Sequence, residues 1–140
     1  AGEYDQHLSR YPANDGVNLA ESLAFVRRLN TQPSNECVLV VGTVSSINYL
    51  SQRDQATRFY YFPILYLTRP PLPMADRWVD LWEADLEKAN CHFTLVADWV
   101  RTDWLNRTGR AAAALRQHLQ AYRETGTLGA KGGMVIYERK

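Results

Sequence analysis

Charge of one sign, long apolar runs and cysteine are all scarce in this chain, and each scarcity removes a class of function. Sixteen Lys plus Arg offset 15 Asp plus Glu for a formal net charge of +1, and no basic block exceeds Arg27-Arg28. A nucleic-acid backbone or an anionic membrane surface is met by a concentrated cationic face, so no nucleic-acid partner is expected. The longest apolar or aromatic stretch, Phe59 to Leu67, is interrupted by Pro63 and falls far short of the ~20 residues of a bilayer span. Ala1 to Pro12 lacks a basic start followed by an apolar stretch, so no signal peptide is expected there. The only two cysteines, Cys37 and Cys91, fit a reducing compartment as buried thiols or an oxidising one as a single bridge.

Catalytic signatures are missing as well. Gly42 closes an apolar run, yet the following residues read Thr43-Val44-Ser45-Ser46, without the second and third glycines that let a phosphate approach a helix start. Ser45 lies between Val44 and Ser46, not in the glycine-flanked elbow that exposes a nucleophilic serine. His92 sits at a strand start, the wrong end for an open α/β site. His7, His92 and His118 are far apart and no metal-ligand spacing is present. No catalytic residue, metal or cofactor is therefore expected.

The 140 residues are enough for one core without metal or disulfide support, since a domain of this size buries roughly 68–70% of its unfolded surface. Residues 1–17, with Pro12 and Gly16, read as an irregular linker arm, and 18–140 as a single α/β domain. Asn18 and Glu21 have the spacing of a capping box, and Leu19, Leu23, Val26 and Leu29 recur at helical intervals, giving a helix over about 18–31. Pro33-Ser34-Asn35 breaks it, and Cys37 to Val41 is a short run that reads as a strand buried on both faces. A second strand is expected at 57–62, a long helix from about Met74 with Trp78 and Trp82 on its apolar face, and another buried strand at Phe93 to Ala97. A helix from Thr108 to about Arg123 and a final strand at 134–138, approached through a glycine-rich segment, complete the chain. This alternation implies a three-layer sandwich with a mostly parallel, Rossmann-like sheet and an antiparallel edge strand at the C-terminus.

Within that arrangement Trp99 and Trp104 flank Asp98, Arg101 and Asp103 just past the carboxyl end of a strand, where α/β folds gather ligands. Cys37 and Cys91 each stand at the start of a buried strand. Doubly wound orders pair the first strand with the third, which brings the two cysteines close together. A bridge needs suitably aimed Cβ atoms besides proximity, so the spacing leaves bonding open.

One ordered series is more specific. It runs from the helix at 18–31 through Pro33-Ser34-Asn35-Glu36-Cys37-Val38-Leu39-Val40-Val41-Gly42 to Tyr49-Leu50-Ser51-Gln52-Arg53 and Ala56-Thr57-Arg58-Phe59-Tyr60-Tyr61, and closes on Met134-Val135-Ile136-Tyr137-Glu138-Arg139. It resembles the soluble C-terminal, periplasmic domain of bacterial GT-C membrane glycosyltransferases, relatives of protein mannosyltransferases and aminoarabinose transferases. The resemblance covers about residues 18 to 139 and rests on core patterning plus two arginines. It implies an accessory domain, inactive alone, on the periplasmic or outer side of the inner membrane. The tether would be transmembrane helices of the same polypeptide, outside this chain, which alone handle the polyprenyl-phosphate sugar donor. Arg53 and Arg58 match its recurrent arginines, for which ion pairing that locks the turn is the first reading and ligand contact the second; with Tyr49, Tyr60, Trp99 and Trp104 they are the candidates for a ligand cleft. A free-standing module for a small polar ligand is the second reading, and a self-contained hydrolase the third.

Overall fold

The computed structural model describes residues 17–33, 36–42, 46–59, 75–106, 109–129 and 133–140. Helix α1 spans Leu19–Leu29; the Glu21 N–H donates to Asn18 Oδ1 at 2.9 Å, which starts the helix where the capping pair predicts. Strand β1 follows at Val38–Val41, then a short helix α2 at Ser46–Ser51, the long helix α3 at Ala75–Lys88 and strand β2 at Phe93–Ala97. After β2 come the short helix α4 (Asp98–Thr102), a 3-10 turn (Trp104–Asn106), helix α5 (Arg110–Leu119) and the strands β3 (Tyr122–Leu128) and β4 (Met134–Arg139).

The fold is mixed α/β around a four-stranded sheet of order β1-β2-β4-β3. Among the described strands only β1 and β2 are parallel, with Val38 opposite Phe93; β4 runs antiparallel to both β2 and β3. The expectation of a mostly parallel sheet is thereby corrected, and so is the placement of the last strand. β4 lies inside the sheet, and β1 and β3 form its edges. The reason is burial. Met134, Val135 and Ile136 are consecutive and all buried, whereas β3 exposes Arg123, Glu124, Thr125 and Thr127. The charged and polar surface of β3 suits a strand with one unpaired flank, while β4 is paired on both sides. The helix expected to reach Arg123 ends at Leu119, because Tyr122 and Arg123 pair with β4. In the region read as a strand at 57–62, residues 57–59 form none, and 60–62 lie outside the described residues.

Adjacent strand residues face opposite sides of a sheet. Phe93 meets Phe25 of α1 edge-on at 5.4 Å between ring centres, and Arg28 lies 4.9 Å from the Phe93 ring centre. Thr94, on the other face, approaches His118 of α5. The core joins Leu29, Leu39, Ile47, Trp82, Leu95, Val100 and Leu115, all fully or almost fully buried.

The outer edge of β1 is closed by side chains. Gln55 Oε1 accepts from the Val40 N–H and Gln55 Nε2 donates to the Val40 carbonyl, both at 2.9 Å, as a neighbouring strand would. Asn48 Nδ2 donates to the Val38 carbonyl at 3.2 Å, and the Val38 N–H donates to the Asp54 carbonyl at 3.1 Å. Gln55 also donates to the Phe59 carbonyl. Gln55→Ala therefore strands three buried backbone groups and is expected to cost about 2 kcal/mol. Denaturant unfolding and faster hydrogen exchange at the Val40 amide check it; a normal Val40 exchange rate in the variant would show that the amide does not hold this edge.

Candidate functional site

The six side chains expected to line a cleft do not converge. Tyr49 projects from α2 and is 84% exposed. Arg53 turns the other way and is only 5% exposed. Its Nη1 donates to the carbonyls of Pro33 (2.6 Å) and Glu36 (2.8 Å), and its Nη2 to those of Leu29 (2.7 Å) and Gln32 (3.1 Å). Those oxygens belong to the end of α1 and the link into β1, where a helix leaves carbonyls without intrahelical donors. The planar fork of Arg53 satisfies four of them at once. Arg53 is thus a structural hub whose partners are carbonyls, not the carboxylates that ion pairing would supply.

Arg58 is held elsewhere. Its Nε and Nη2 donate to Asp85 Oδ2 and Oδ1 at 3.0 and 2.9 Å, and its backbone N–H adds a third bond to Oδ2 at 2.9 Å. Hydrogen bonding to Arg58 holds the Asp85 carboxyl below its usual range. This clamp ties the segment after α2 to α3. Tyr60 lies outside the described residues. Trp104 is 5% exposed, one helical turn beyond the fully buried Val100, and Trp99 packs against the same core. The chain after β2 folds back beneath α5, so both indoles serve packing; Arg116 Nη1 pins the turn by donating to the Leu105 carbonyl at 2.6 Å.

Cys37 and Cys91 are joined by a disulfide, with Cα atoms 4.9 Å apart. The register of Val38 with Phe93 would set Cys37 beside His92. The bridge instead reaches diagonally to the residue before it, which avoids the parallel aim of directly adjacent side chains.

A groove does exist, but between α3 and α5. It encloses 630 Å³. One wall carries Glu83, Leu86 and Glu87, and the other Arg110, Ala113, Ala114, Gln117 and His118. Arg110 donates through Nε to Glu83 Oε1 at 2.9 Å and through Nη2 to Glu83 Oε2 at 3.1 Å, and Nη2 also bonds Asp80. These bonds raise the Arg110 pKa further above its ordinary value. His118 is the inner end of the groove. Burial pushes its pKa down, a hydrogen bond to the Leu86 backbone opposing the shift only in part, and its Nε2 lies 3.4 Å from Thr94 Oγ1. Behind it the Tyr122 ring stands 4.9 Å away and the Tyr122 hydroxyl donates to the Cys91 carbonyl, while burial raises the Tyr122 pKa.

Glu83 and Glu87 stand one turn apart on the same wall, whereas glycoside cleavage takes carboxyl groups on either side of the scissile bond. His118 is packed against Thr94 and Tyr122, and the described residues of the lining include no serine or cysteine. Sequence reasoning missed the groove because Glu83, Glu87, Arg110 and Gln117 look like ordinary solvated helix margins. The one available signal was Asp80 and Glu83, a turn apart, which could have suggested a shared cationic partner.

Because the folded state favours neutral His118, unfolded chains bind more protons as the pH falls below the imidazole's ordinary 6.5. The His118 contribution to stability is complete above that pH and is lost as the pH falls through the lower folded-state value. Melting temperatures of the native chain and His118→Gln, followed from about pH 7.5 to 5, should converge on acidification. A constant gap between the two would contradict this.

Among the described residues no group of three or more His, Cys, Asp or Glu is placed to hold a metal ion, and no helix is long and apolar enough to cross a membrane. No protein-family model, curated protein or solved structure matches the chain.

Proposed function

We propose that the chain is an accessory, extracytoplasmic domain of a membrane-embedded glycosyltransferase of the GT-C type, non-catalytic alone and positioning the acceptor for the membrane part of the same polypeptide. The single observation that carries the reading is the Cys37–Cys91 disulfide, since such bonds persist in oxidising compartments. Arg53 adds support. It binds together the helix end, the proline break and the entry to β1, the segments on which the sequence resemblance rests. The opposite placement of α1 and α5 on the sheet fits a three-layer sandwich, with its Rossmann-like character confined to the β1–β2 pair.

The purified chain is expected to turn over no polyprenyl-phosphate sugar, and the cysteines of the intact gene product should resist alkylation until reduced. Sugar transfer by the 140-residue chain would defeat the accessory role, and two free thiols in cells quenched by alkylation would defeat the location. A free-standing binding module for a small polar ligand is the second reading, favoured by the groove between α3 and α5. An open reading frame continuing upstream of Ala1 into many apolar spans selects the first reading over the second.

A further inference from the structure

We propose that the groove between α3 and α5 binds a neutral, hydroxyl-rich ring, the chemistry of a saccharide unit. The inference rests on the groove alone and holds with or without a membrane tether. Its volume of 630 Å³ falls within the ~300–1,000 Å³ of small-molecule sites.

Charge is the first determinant of the ligand class. Arg110 is the one cation among the described residues of the lining, and Asp80 and Glu83 already engage its Nε and Nη2. His118, held neutral by burial, adds none. Glu87 then leaves the groove with an uncompensated carboxylate, against which a phosphate or carboxylate ligand would have to enter. Hydrogen bonding is the second. Glu87 only accepts, while the Gln117 amide both donates and accepts, and neither side chain bonds another described residue. Neighbouring hydroxyls of a ring each offer a donor and an acceptor, which is the complement of that pair. Apolar surface is the third. Leu86 on one wall and Ala113 and Ala114 on the other offer aliphatic groups against which the C–H faces of a ring can pack.

The test is heteronuclear NMR titration of the complete chain with methyl glucoside and maltose, beside glucose 6-phosphate and methylammonium. Saturable shifts are expected at the amides of Ala113, Ala114, Gln117 and His118, with Kd in the millimolar range (~1–10 mM). The sugar phosphate should bind several-fold more weakly than the neutral sugar. Glu87→Ala and Gln117→Ala, both at exposed positions, should each weaken binding about tenfold. Ala113→Leu fills the groove at an exposed helix position and should abolish binding, with the remaining amide resonances unmoved. Absence of shifts at about 100 mM sugar, shifts confined to other surfaces, or unchanged binding by Ala113→Leu would each overturn the proposal. Tighter binding of the phosphate would reassign the groove to an anion, and tighter binding of methylammonium to a cation. None of these outcomes touches the transfer and thiol tests of the accessory role.

Discussion

Arg53→Met is expected to destabilise the domain by about 2–4 kcal/mol, the scale for losing charge-assisted hydrogen bonds and leaving buried carbonyls short of a donor. The loss goes beyond packing. Without the guanidinium, the carbonyls of Leu29, Gln32, Pro33 and Glu36 lose the donor they share, and water reaches poorly a site whose central residue is 5% exposed. Arg53→Lys should recover only a fraction, because a single ammonium cannot present two parallel pairs of N–H groups to four oxygens. Urea unfolding at constant m would read the effect. A lysine variant as stable as the native chain would show that charge, and not the planar fork, matters at this position. Tyr49→Ala, four residues earlier and 84% exposed, should change stability by less than about 0.5 kcal/mol and serves as the control.

Opening the disulfide should have an effect of the same order. Cys37 and Cys91 are 54 residues apart, and closing a loop of that length removes about 4 kcal/mol of chain entropy from the unfolded state. Reduction, or Cys37→Ser with Cys91→Ala, is therefore expected to lower the melting temperature by roughly 10 °C. Cys91 is wholly buried, so reduction should be slow in the folded protein and fast in urea. Equal melting temperatures with and without reductant would mean that the bridge constrains nothing that the β1–β2 pairing does not already fix.

Local pattern was the legible part of this sequence. Asn18 and Glu21 mark the start of α1, and the uninterrupted runs Val38–Val41 and Phe93–Ala97 give the two strands that lie side by side in parallel. The glycines before Met134 point to an edge for the last strand, whereas β4 is paired on both sides and the polar, exposed β3 takes that edge. Arg53 stood out by residue type, but backbone carbonyls have no identity in a sequence, so nothing announced its four partners. Sequence places Trp99 and Trp104 at the carboxyl end of a strand, but it does not show that the chain there turns back against α5. The groove depends on how α3 and α5 sit against each other, which the periodicity of each helix taken alone does not contain.

The side-chain closure of β1 also bears on the order in which the chain folds. Gln55 reaches Val40 across 15 residues, and Arg53 reaches its four carbonyls across 17 to 24. The bridge from Cys37 to Cys91 spans 54, and the pairing of β2 with β4 encloses everything between them. Short closures cost less entropy and form sooner. The segment from α1 to Phe59 can therefore condense while the rest of the chain is still uncommitted, with β1 already shielded on the side that β2 will not use. β2 then meets a strand with one vacant flank, and its arrival holds Cys91 beside Cys37 for oxidation. These 140 residues contain no third cysteine, so this domain itself offers that late covalent step no competing partner.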